Sequence, residues 1–309
     1  MTHVEMLILA LILDALLGEP KFLWSRVPHP AELMGKAIDR LDLMLNRGRL
    51  RVIKGGLAIG ALALIAVGLG LFIALIPDFG ILEMLTIAIL LAHKSLIEHV
   101  GAVAQALGQS VQAGRKSVGM IVGRDTRDLD ESDVTRAAIE SAAENFSDGV
   151  VAPAFWALLF GAPGILFYKL VNTADSMIGH RSEDYEQFGK AAARLDDLLN
   201  WIPARATAAL FCLVGRAKDA WNDTAEDAVY HRSPNAGWPE AAMAVSLGIA
   251  LAGPRSYFGE RTDDPFVNGA ARRVLEPGDI IAAVALLWKS WRVSLGGLVL
   301  LAIVWRLVA

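Results

Sequence analysis

Acidic and amide side chains are grouped in one segment at a spacing that suits metal chemistry. Within residues 123–148, Glu140 and Glu144 are four residues apart, which places both carboxylates on one face of a helix. Asn145 and Asp148 follow directly. Carboxylate and amide oxygens are the ligands that Mg²⁺ prefers, and bound Mg²⁺ often bridges to substrate phosphates. The spacing therefore predicts a cation site on this helix.

The same segment permits a second interpretation. Arg136 precedes Glu140 by four residues, so the two side chains could form an intrahelical ion pair on a solvent-exposed face. The apolar run Val150–Trp156 begins directly after the acidic residues. Because this run places the acids at a membrane boundary, the functional interpretation is favoured and the ion pair is kept as the alternative.

A second polar group lies at the ends of apolar segments. Asn172 and Asp175 directly follow one apolar run, and Asp196 precedes another. An acid at the end of a membrane helix costs free energy unless it is paired or hydrated, so it is a candidate for a functional site. The alternative is an interhelical salt bridge to Arg194 or Arg205, and both roles can coexist.

Two turn-rich segments carry further candidates. The Pro28-His29-Pro30 turn is rigid because proline fixes φ, so the imidazole is presented at a set angle. Its alternative role is to start a helix over Ala31–Leu45. In the loop 233–239, Asn235 is a candidate ligand contact, and Trp238 is either an interfacial anchor or a ligand platform.

The amino-acid composition points to a membrane protein. Of the 309 residues, 54% are hydrophobic and 20% are charged, whereas a soluble domain is about a quarter charged. The net charge of −4 at pH 7 gives no reason to expect a nucleic-acid partner. The sequence has no Walker A loop and no common hydrolase or metalloprotease motif, so any nucleotide would need a less familiar site.

The clearest membrane span is Gly55–Ile76, which has no charged residue. At 1.5 Å per residue it would extend about 33 Å, enough for a hydrocarbon core of about 30 Å. A return helix from Ile81 to about Ala92, continuing through Leu107, completes a predicted hairpin. Lysines and arginines flank both ends of this hairpin, so both flanks are predicted to be cytoplasmic.

Later segments are less regular. Proline and glycine interrupt the apolar run Val150–Val171, which predicts two half-helices, Ala154–Phe160 and Ile165–Val171. Broken helices at membrane depth occur where they are buried in protein or line a polar cavity. The segment 279–308 predicts an amphipathic helix followed by a final span.

Together these patterns predict an all-α, multi-pass helical integral membrane protein with broken or re-entrant helices and long polar cytoplasmic loops. We expect a single membrane-embedded domain over residues 1–309, located in the cytoplasmic (inner) cell membrane with its active site on the cytoplasmic side. The number of subunits stays open.

Several motifs occur in the chain in a recognisable order. They are Leu17-Gly18-Glu19-Pro20, Pro28-His29-Pro30, Arg124-Asp125-Thr126, Glu140-Ser141-Ala142-Ala143-Glu144-Asn145 with Asp148-Gly149-Val150-Val151-Ala152-Pro153, Asn172-Thr173-Ala174-Asp175-Ser176-Met177, Ala193-Arg194-Leu195-Asp196-Asp197 with Asn200-Trp201-Ile202-Pro203-Ala204-Arg205, and Ser233-Pro234-Asn235-Ala236-Gly237-Trp238-Pro239. In this order they resemble the adenosylcobinamide-phosphate synthases, the CobD/CbiB family, over nearly the whole chain. One departure is Glu19, where the family pattern has aspartate, and the charge is kept.

The resemblance implies an amide-forming reaction in cobalamin biosynthesis. The family joins adenosylcobyric acid, a corrinoid, to (R)-1-amino-2-propanol or its O-phosphate, with ATP hydrolysis as the driving force. A carboxylate is a poor acyl donor and an acyl phosphate a good one, so such a ligase needs Mg²⁺, phosphate-binding cations and a base for the amine. ATP and Mg²⁺ are therefore the expected cofactors. The expected partners are the corrinoid, the amino alcohol, the lipid bilayer and other corrinoid-handling membrane enzymes.

On this basis the candidate residues fall into three groups. The expected catalytic residues are Glu140, Glu144, Asp175 and His29. The expected metal ligands are Glu140, Glu144, Asp148, Asp175 and Asp196. The residues expected to bind substrate or phosphate are Arg124, Asp125, Thr126, Asn145, Asn172, Arg194, Asn200, Asn235 and Trp238. Of these, Arg124 and Arg194 are expected to neutralise phosphate charge.

Two other functions fit parts of the sequence. A membrane prenyltransferase would bind diphosphate and Mg²⁺ with aspartate-rich helices, which Asn172-x-x-Asp175 and residues 222–227 resemble, although regularly repeated aspartates are missing. A transporter or other non-enzymatic corrinoid-binding protein would suit broken helices, although no inverted repeat is visible. Use of a corrinoid with ATP hydrolysis would distinguish the ligase from both.

Overall fold

A computed structural model describes residues 1–180, 182–215, 220–257 and 260–308, with the backbone alone described at residues 21, 255–257, 260 and 261. It is mostly helical, which confirms the predicted fold class. In chain order the described elements are α1 (His3–Leu17), α2 (Lys21–Trp24), α3 (Pro30–Leu45), α4 (Arg51–Ala74), α5 (Ile81–Leu90), α6 (His93–Leu107), α7 (Val111–Val118), α8 (Glu131–Phe146), a π-helical turn (Ser147–Val151), α9 (Ala152–Ile178), α10 (Lys190–Gly215), α11 (Ala220–Ala228), α12 (Gly237–Leu247), β1 (Leu251–Ala252), β2 (Arg255–Tyr257), β3 (Glu260–Thr262), β4 (Phe266–Val267) and α13 (Pro277–Val308).

Four helices within the described ranges are long and apolar enough to cross a membrane. They are Arg51–Ala74, the continuous run Glu131–Ile178, Lys190–Gly215 and Pro277–Val308. The first of them corresponds to the predicted span Gly55–Ile76. The last is one helix, whereas an amphipathic helix and a separate span were predicted.

The chain divides into two compact units. The first unit comprises Met1–Ala92, Ala152–Asn200 and Leu298–Ala309, and the second comprises His93–Val151 and Trp201–Gly297. The single domain expected from the sequence stays a prediction.

Helix α9 is the centre of the first unit, where it packs against α1, α3, α4 and α5. Helix α4 approaches it closely at Gly70. A Cβ atom on this glycine would lie 2.5 Å from the backbone nitrogen and Cα of Pro163. The absence of a side chain at Gly70 is therefore what permits the contact between the two helices.

Helix α9 breaks where the glycine and proline residues predict it. Gly161 has φ 62° and ψ −144°, so α9 consists of two helices that meet at a kink. Glu83 of α5 supports the break, because its Oε1 accepts the N–H of Ala162 at 2.8 Å. This bond satisfies a backbone donor at the start of the second half, which the kink leaves without an intrahelical partner. The predicted half-helices are confirmed, although the second continues to Ile178.

The predicted return helix is wrong in its length. Helix α5 ends at Leu90, Leu91 is extended with ψ 152°, and α6 begins at His93. The ten residues of α5 extend about 15 Å, too short to cross a hydrocarbon core of about 30 Å. The physical reason is packing: α5 contacts α1 and α9 in the first unit, whereas α6 contacts α7 and α8 in the second.

Helix α8 is the core of the second unit. Its apolar residues from Val134 to Phe146 are buried, and it packs against α6, α7, α12 and β1. Arg136, Glu140 and Ser141 on the same helix are buried as well. Residues 134–143 are buried on all sides of the helix, and polar side chains in such a segment need internal partners.

Two short antiparallel strand pairs in the second unit were not predicted. In the first pair, Leu251 lies opposite Val267 and Ala252 opposite Phe266; the second joins β2 and β3. Strands of two or three residues are too short to produce a readable alternation in the sequence. Ala252, in β1, and Asn268, directly after β4, have positive φ values of 56° and 52°. This left-handed backbone conformation is uncommon for residues other than glycine.

Replacing Gly70 by alanine should destabilise the first unit. The added Cβ would meet the backbone of Pro163, and overpacking of this kind costs about 1–3 kcal/mol. Gly68→Ala is the matched control, because this glycine is on the same helix and its added Cβ would meet nothing within 4 Å. Thermal unfolding in one detergent should give a lower Tm for G70A and an unchanged or slightly higher Tm for G68A. Equal Tm values would contradict the close packing of α4 on α9.

Candidate functional site

Glu140 and Arg124, two of the predicted site residues, form a buried ion pair in the second unit. The Oε2 atom of Glu140 lies 2.9 Å from Nη2 of Arg124, and both side chains are less than a tenth exposed. The other carboxylate oxygen, Oε1, accepts the N–H of Ala252 at 2.7 Å. Glu140 therefore joins two segments that are distant in the sequence at one point in the unit.

The alternative pair of Arg136 with Glu140 is wrong. Arg136 instead pairs with Asp133, with 2.7 Å between Nη1 and Oδ1. Its guanidinium also donates to the carbonyl oxygens of Ala250 and Arg273. These acceptors satisfy Arg136 and leave the carboxylate of Glu140 to Arg124.

The loop that contains Arg124 lies along α8. Ser141 Oγ donates to the carbonyl oxygen of Ile121 at 2.7 Å, and Asn145 Nδ2 donates to the carbonyl oxygen of Ser141 at 2.9 Å. In the same loop, the Arg127 guanidinium beside Asp125 lowers the pKa of that carboxyl to about 2. Asp125 is therefore ionised at neutral pH. Thr126, which lies between Asp125 and Arg127 in the sequence, is partly buried.

The other acids of this segment are more accessible. Glu144 and Asn145 are exposed, and Asp148 is half-buried. Asp148 lies in the π-helical turn that follows α8. Such turns occur frequently at functional sites. The structure therefore separates Glu140, which is bonded inside the protein, from the accessible Glu144 and Asp148.

In the first unit, the predicted residues of α9 and α10 meet around Asp196. This residue is only 8% exposed. Its Oδ1 accepts a hydrogen bond from Asn172 Nδ2 at 3.3 Å, and its Oδ2 accepts one from Asn200 Nδ2 at 2.9 Å. The hydroxyl of Tyr168 donates to Asn200 Oδ1 at 2.9 Å, which fixes the amide. Asp175 lies close enough for its charge to act on Asp196.

The salt bridge considered for Asp196 is not formed. Within the described ranges, the bonds of its carboxylate come from amides, and no lysine or arginine pairs with it. Arg194 is exposed near the start of α10. Neutral donors thus hold a nearly buried carboxylate beside a second acid, which is an arrangement that a bound cation would stabilise.

His29 is bonded as a helix cap in the first unit. Its Nδ1 accepts the N–H of Ala31 at 3.2 Å, and its Nε2 lies 3.1 Å from the carbonyl oxygen of Ile89. The predicted role in starting the helix, now α3, is confirmed. The acid–base role stays a prediction, and the structure shows both ring nitrogens engaged.

Asn235 and Trp238 lie together in the second unit around an arginine. Asn235 Oδ1 accepts a hydrogen bond from Arg205 Nη1 at 3.2 Å. The guanidinium of Arg205 lies over the rings of Trp201 and Trp238, 4.6 and 4.7 Å from their centroids. Trp201 is not among the predicted site residues, although its spacing of four residues from Arg205 places both side chains on one helix face.

A complete protein cage for a metal ion is not seen: the described ranges contain no group of three histidine, cysteine, aspartate or glutamate residues that could hold one. Mg²⁺ usually takes only one or two carboxylates and completes its octahedron with substrate phosphates and waters. Asp175 and Asp196, with nearby amide groups, fit that type of donor set.

Residues 7–287 match the family model described as CobD/Cbib protein. The chain belongs to the CobD/CbiB family. It is 49% identical to the cobalamin biosynthesis protein CobD of Brucella suis biovar 1 over 306 residues, which cover 93% of each chain. For the proteins of the same name from Rhizobium meliloti and Rhodobacter capsulatus, the identities are 48% and 43%, with 92% and 99% of each chain covered.

Family membership confirms the resemblance of the sequence motifs and places the chain among cobalamin biosynthesis proteins. No solved structure matches it. The geometry of the two residue groups described above therefore comes from this structure alone.

Replacing Glu140 by glutamine should destabilise the second unit. The change removes the carboxylate from a buried arginine, and breaking one side of a buried ion pair costs about 3–5 kcal/mol. Asp125→Asn is the matched control, because its partner Arg127 is 84% exposed and exposed pairs contribute about 0–1 kcal/mol. Thermal unfolding in detergent measures the stability of both variants relative to the wild-type protein. If E140Q lost no more stability than D125N, the structural role of the buried pair would be refuted.

Proposed function

We propose that the chain catalyses ATP-dependent amide-bond formation between adenosylcobyric acid and (R)-1-amino-2-propanol or its O-phosphate. The observation that carries the proposal is the nearly buried Asp196, held by two amides beside Asp175 in a helix long enough to span a membrane. Burying a carboxylate costs several kcal/mol unless a cation compensates it. A cation site supplied by two acids is what a ligase that uses a nucleoside triphosphate needs.

In this proposal, Asp175 and Asp196 bind Mg²⁺. Asn172 and Asn200 orient the carboxylate of Asp196 through the bonds described above. When bound, ATP would supply the free energy for activating the corrinoid carboxylate. Mg²⁺ would neutralise the charge of the phosphates. The exposed Arg194 adds a positive charge for phosphate in the same unit.

The acids of the second unit have different proposed roles. Glu140 is a positioning residue, because both of its oxygens are bonded to the chain itself. It holds Arg124 in place through the ion pair, and Arg124 is proposed to bind phosphate. The accessible Glu144 and Asp148 are the proposed acceptors for the proton that the amine loses when the amide forms.

The proposed setting is the cytoplasmic membrane, with the reaction on its cytoplasmic side. The four candidate spans support a membrane location, and the basic residues before the span Arg51–Ala74 support the cytoplasmic side for its N-terminal end. A corrinoid substrate agrees with the name of the relatives. Other corrinoid-handling membrane enzymes are proposed partners, because they would supply and remove a large amphipathic substrate.

The proposal is tested by amide formation in detergent. The purified protein is given adenosylcobyric acid, aminopropanol or its phosphate, MgCl₂ and ATP, and the product is followed by mass spectrometry. We expect an amide product that requires both ATP and Mg²⁺. A folded protein that binds the corrinoid and makes no product would contradict the ligase and support a binding or transport function.

Replacing Asp196 by asparagine should weaken the use of Mg²⁺. The change removes one of the two proposed ligand charges, so the Mg²⁺ concentration for half-maximal rate should rise at least by the roughly 10–100-fold that the loss of an outer-shell partner causes. Asp39→Asn is the control, because Asp39 is an exposed acid of α3 in the same unit. The Mg²⁺ dependence of the rate is measured for both variants. An unchanged Mg²⁺ requirement in D196N would exclude Asp196 as a ligand.

A further inference from the structure

The second unit contains a pocket of about 300 Å³ that the sequence analysis did not identify. One wall is formed by residues 230–233, between α11 and α12. The other is formed by Ala252 of β1 together with Asp264, Pro265 and Val267 at β4. A small concave site of this kind with a few polar groups is suited to a small molecule.

Among the lining residues that the structure describes, Arg232 provides a positive charge and Asp264 a negative charge at the rim of the pocket. Arg232 Nη2 lies 3.3 Å from Asp264 Oδ1, and the two side chains are 66% and 30% exposed. Thr262 Oγ1 donates to the other oxygen of Asp264 at 2.8 Å. An exposed ion pair of this length contributes little to stability. Little stability is therefore lost when a ligand that carries both an anion and a cation separates the pair.

The loop 230–233 is held in place by buried partners. His231 Nδ1 accepts the N–H of Ser233 at 3.0 Å, and its Nε2 lies 3.6 Å from the buried carboxylate of Glu240. Ser233 Oγ accepts the N–H groups of Asn235 and Ala236 at 3.2 Å. A hydroxyl that accepts can also donate, so Ser233 can still bond an anion. This wall is thus preorganised for a ligand.

The opposite wall is connected to the family's motif residues. Ala252 has φ 56°, a left-handed conformation that costs free energy for a residue with a side chain. Its N–H bonds to Glu140, which in turn pairs with Arg124. Strained backbone that is held by buried contacts occurs at binding and catalytic sites. Glu140 therefore supports the wall of this pocket.

The size and charge of the pocket restrict the ligand. About 300 Å³ is at the lower end of the range for small-molecule sites, so a corrinoid macrocycle or a nucleoside triphosphate would not be enclosed. The pocket would enclose a short amino alcohol phosphate. It carries a phosphate that matches Arg232 and Ser233 and an ammonium group that matches Asp264.

We propose that this pocket binds the amine substrate as its zwitterionic phosphate monoester, with the phosphate on Arg232 and the ammonium group on Asp264. The identity of the ligand rests on the proposed function. The location of the pocket and its paired charges rest on the geometry of the second unit alone.

The first test is direct binding of 1-amino-2-propanol O-phosphate to the full-length protein in detergent, measured by isothermal titration calorimetry. Arg232→Gln and Asp264→Asn should each weaken binding about ten-fold or more, and Arg232→Lys should weaken it less because the charge is kept. Arg49→Gln is the control, because Arg49 is an exposed arginine of the first unit. Equal Tm values would show that the variants are folded, as expected for an exposed side chain.

The second test uses the amide assay. Arg232→Gln should raise KM for the phosphate ester about ten-fold, while KM for the unphosphorylated amino alcohol and for the corrinoid changes less than about two-fold. Wild-type protein that binds the ester through Arg232 but forms no amide would support the pocket and refute the ligase. Active protein whose affinity and KM for the ester are insensitive to all three variants would refute the pocket and leave the ligase standing. Wild-type protein that neither binds nor uses the ester would also refute the pocket.

Discussion

A carboxylate inside an apolar helical protein must have donors or a cation, and the polar architecture of this chain follows from that constraint. Glu83 meets it by accepting a backbone N–H at the break in α9. Glu140 meets it with a buried arginine and the N–H of Ala252. Asp196 meets it with two amides, which are neutral. The three acids look alike in the sequence, yet the first shapes a helix, the second positions a strand, and the third is a proposed Mg²⁺ ligand.

The constraint also separates the proposed roles between the two compact units. In the first, Asp175 and Asp196 are proposed to bind the metal ion. In the second, Arg124 and Glu140 are bonded to each other and support the wall of a small charged pocket. The CobD/CbiB family is shown by the comparison with known relatives, and the reaction proposed for the chain assigns a task to each of these groups.

Residue types and spacing predicted much of this, with identifiable errors. The kink at Gly161 was predictable because glycine and proline act on the backbone locally. The error at Leu91 arose because both α5 and α6 have helical sequences, and only their different packing partners show that the helix is interrupted between them. Spacing predicted Glu140 and Glu144 as metal ligands, which stays a prediction; what it did not predict is that Glu140 is buried and paired with Arg124 whereas Glu144 is exposed. No local signal marked Arg232, because its ion-pair partner Asp264 lies 32 residues away.

The sequence by itself determined the helical membrane class, the break in α9 and the family, since these depend on composition, on local backbone preference and on motifs in order. Only the tertiary structure decided the partner of each charged group. Arg136 pairs with Asp133 and two carbonyl oxygens rather than with Glu140, and Glu140 pairs with Arg124 and the N–H of Ala252. The physical reason is that the free energy of a charge depends on its burial and on the donors around it, and segments distant in the sequence supply most of those donors.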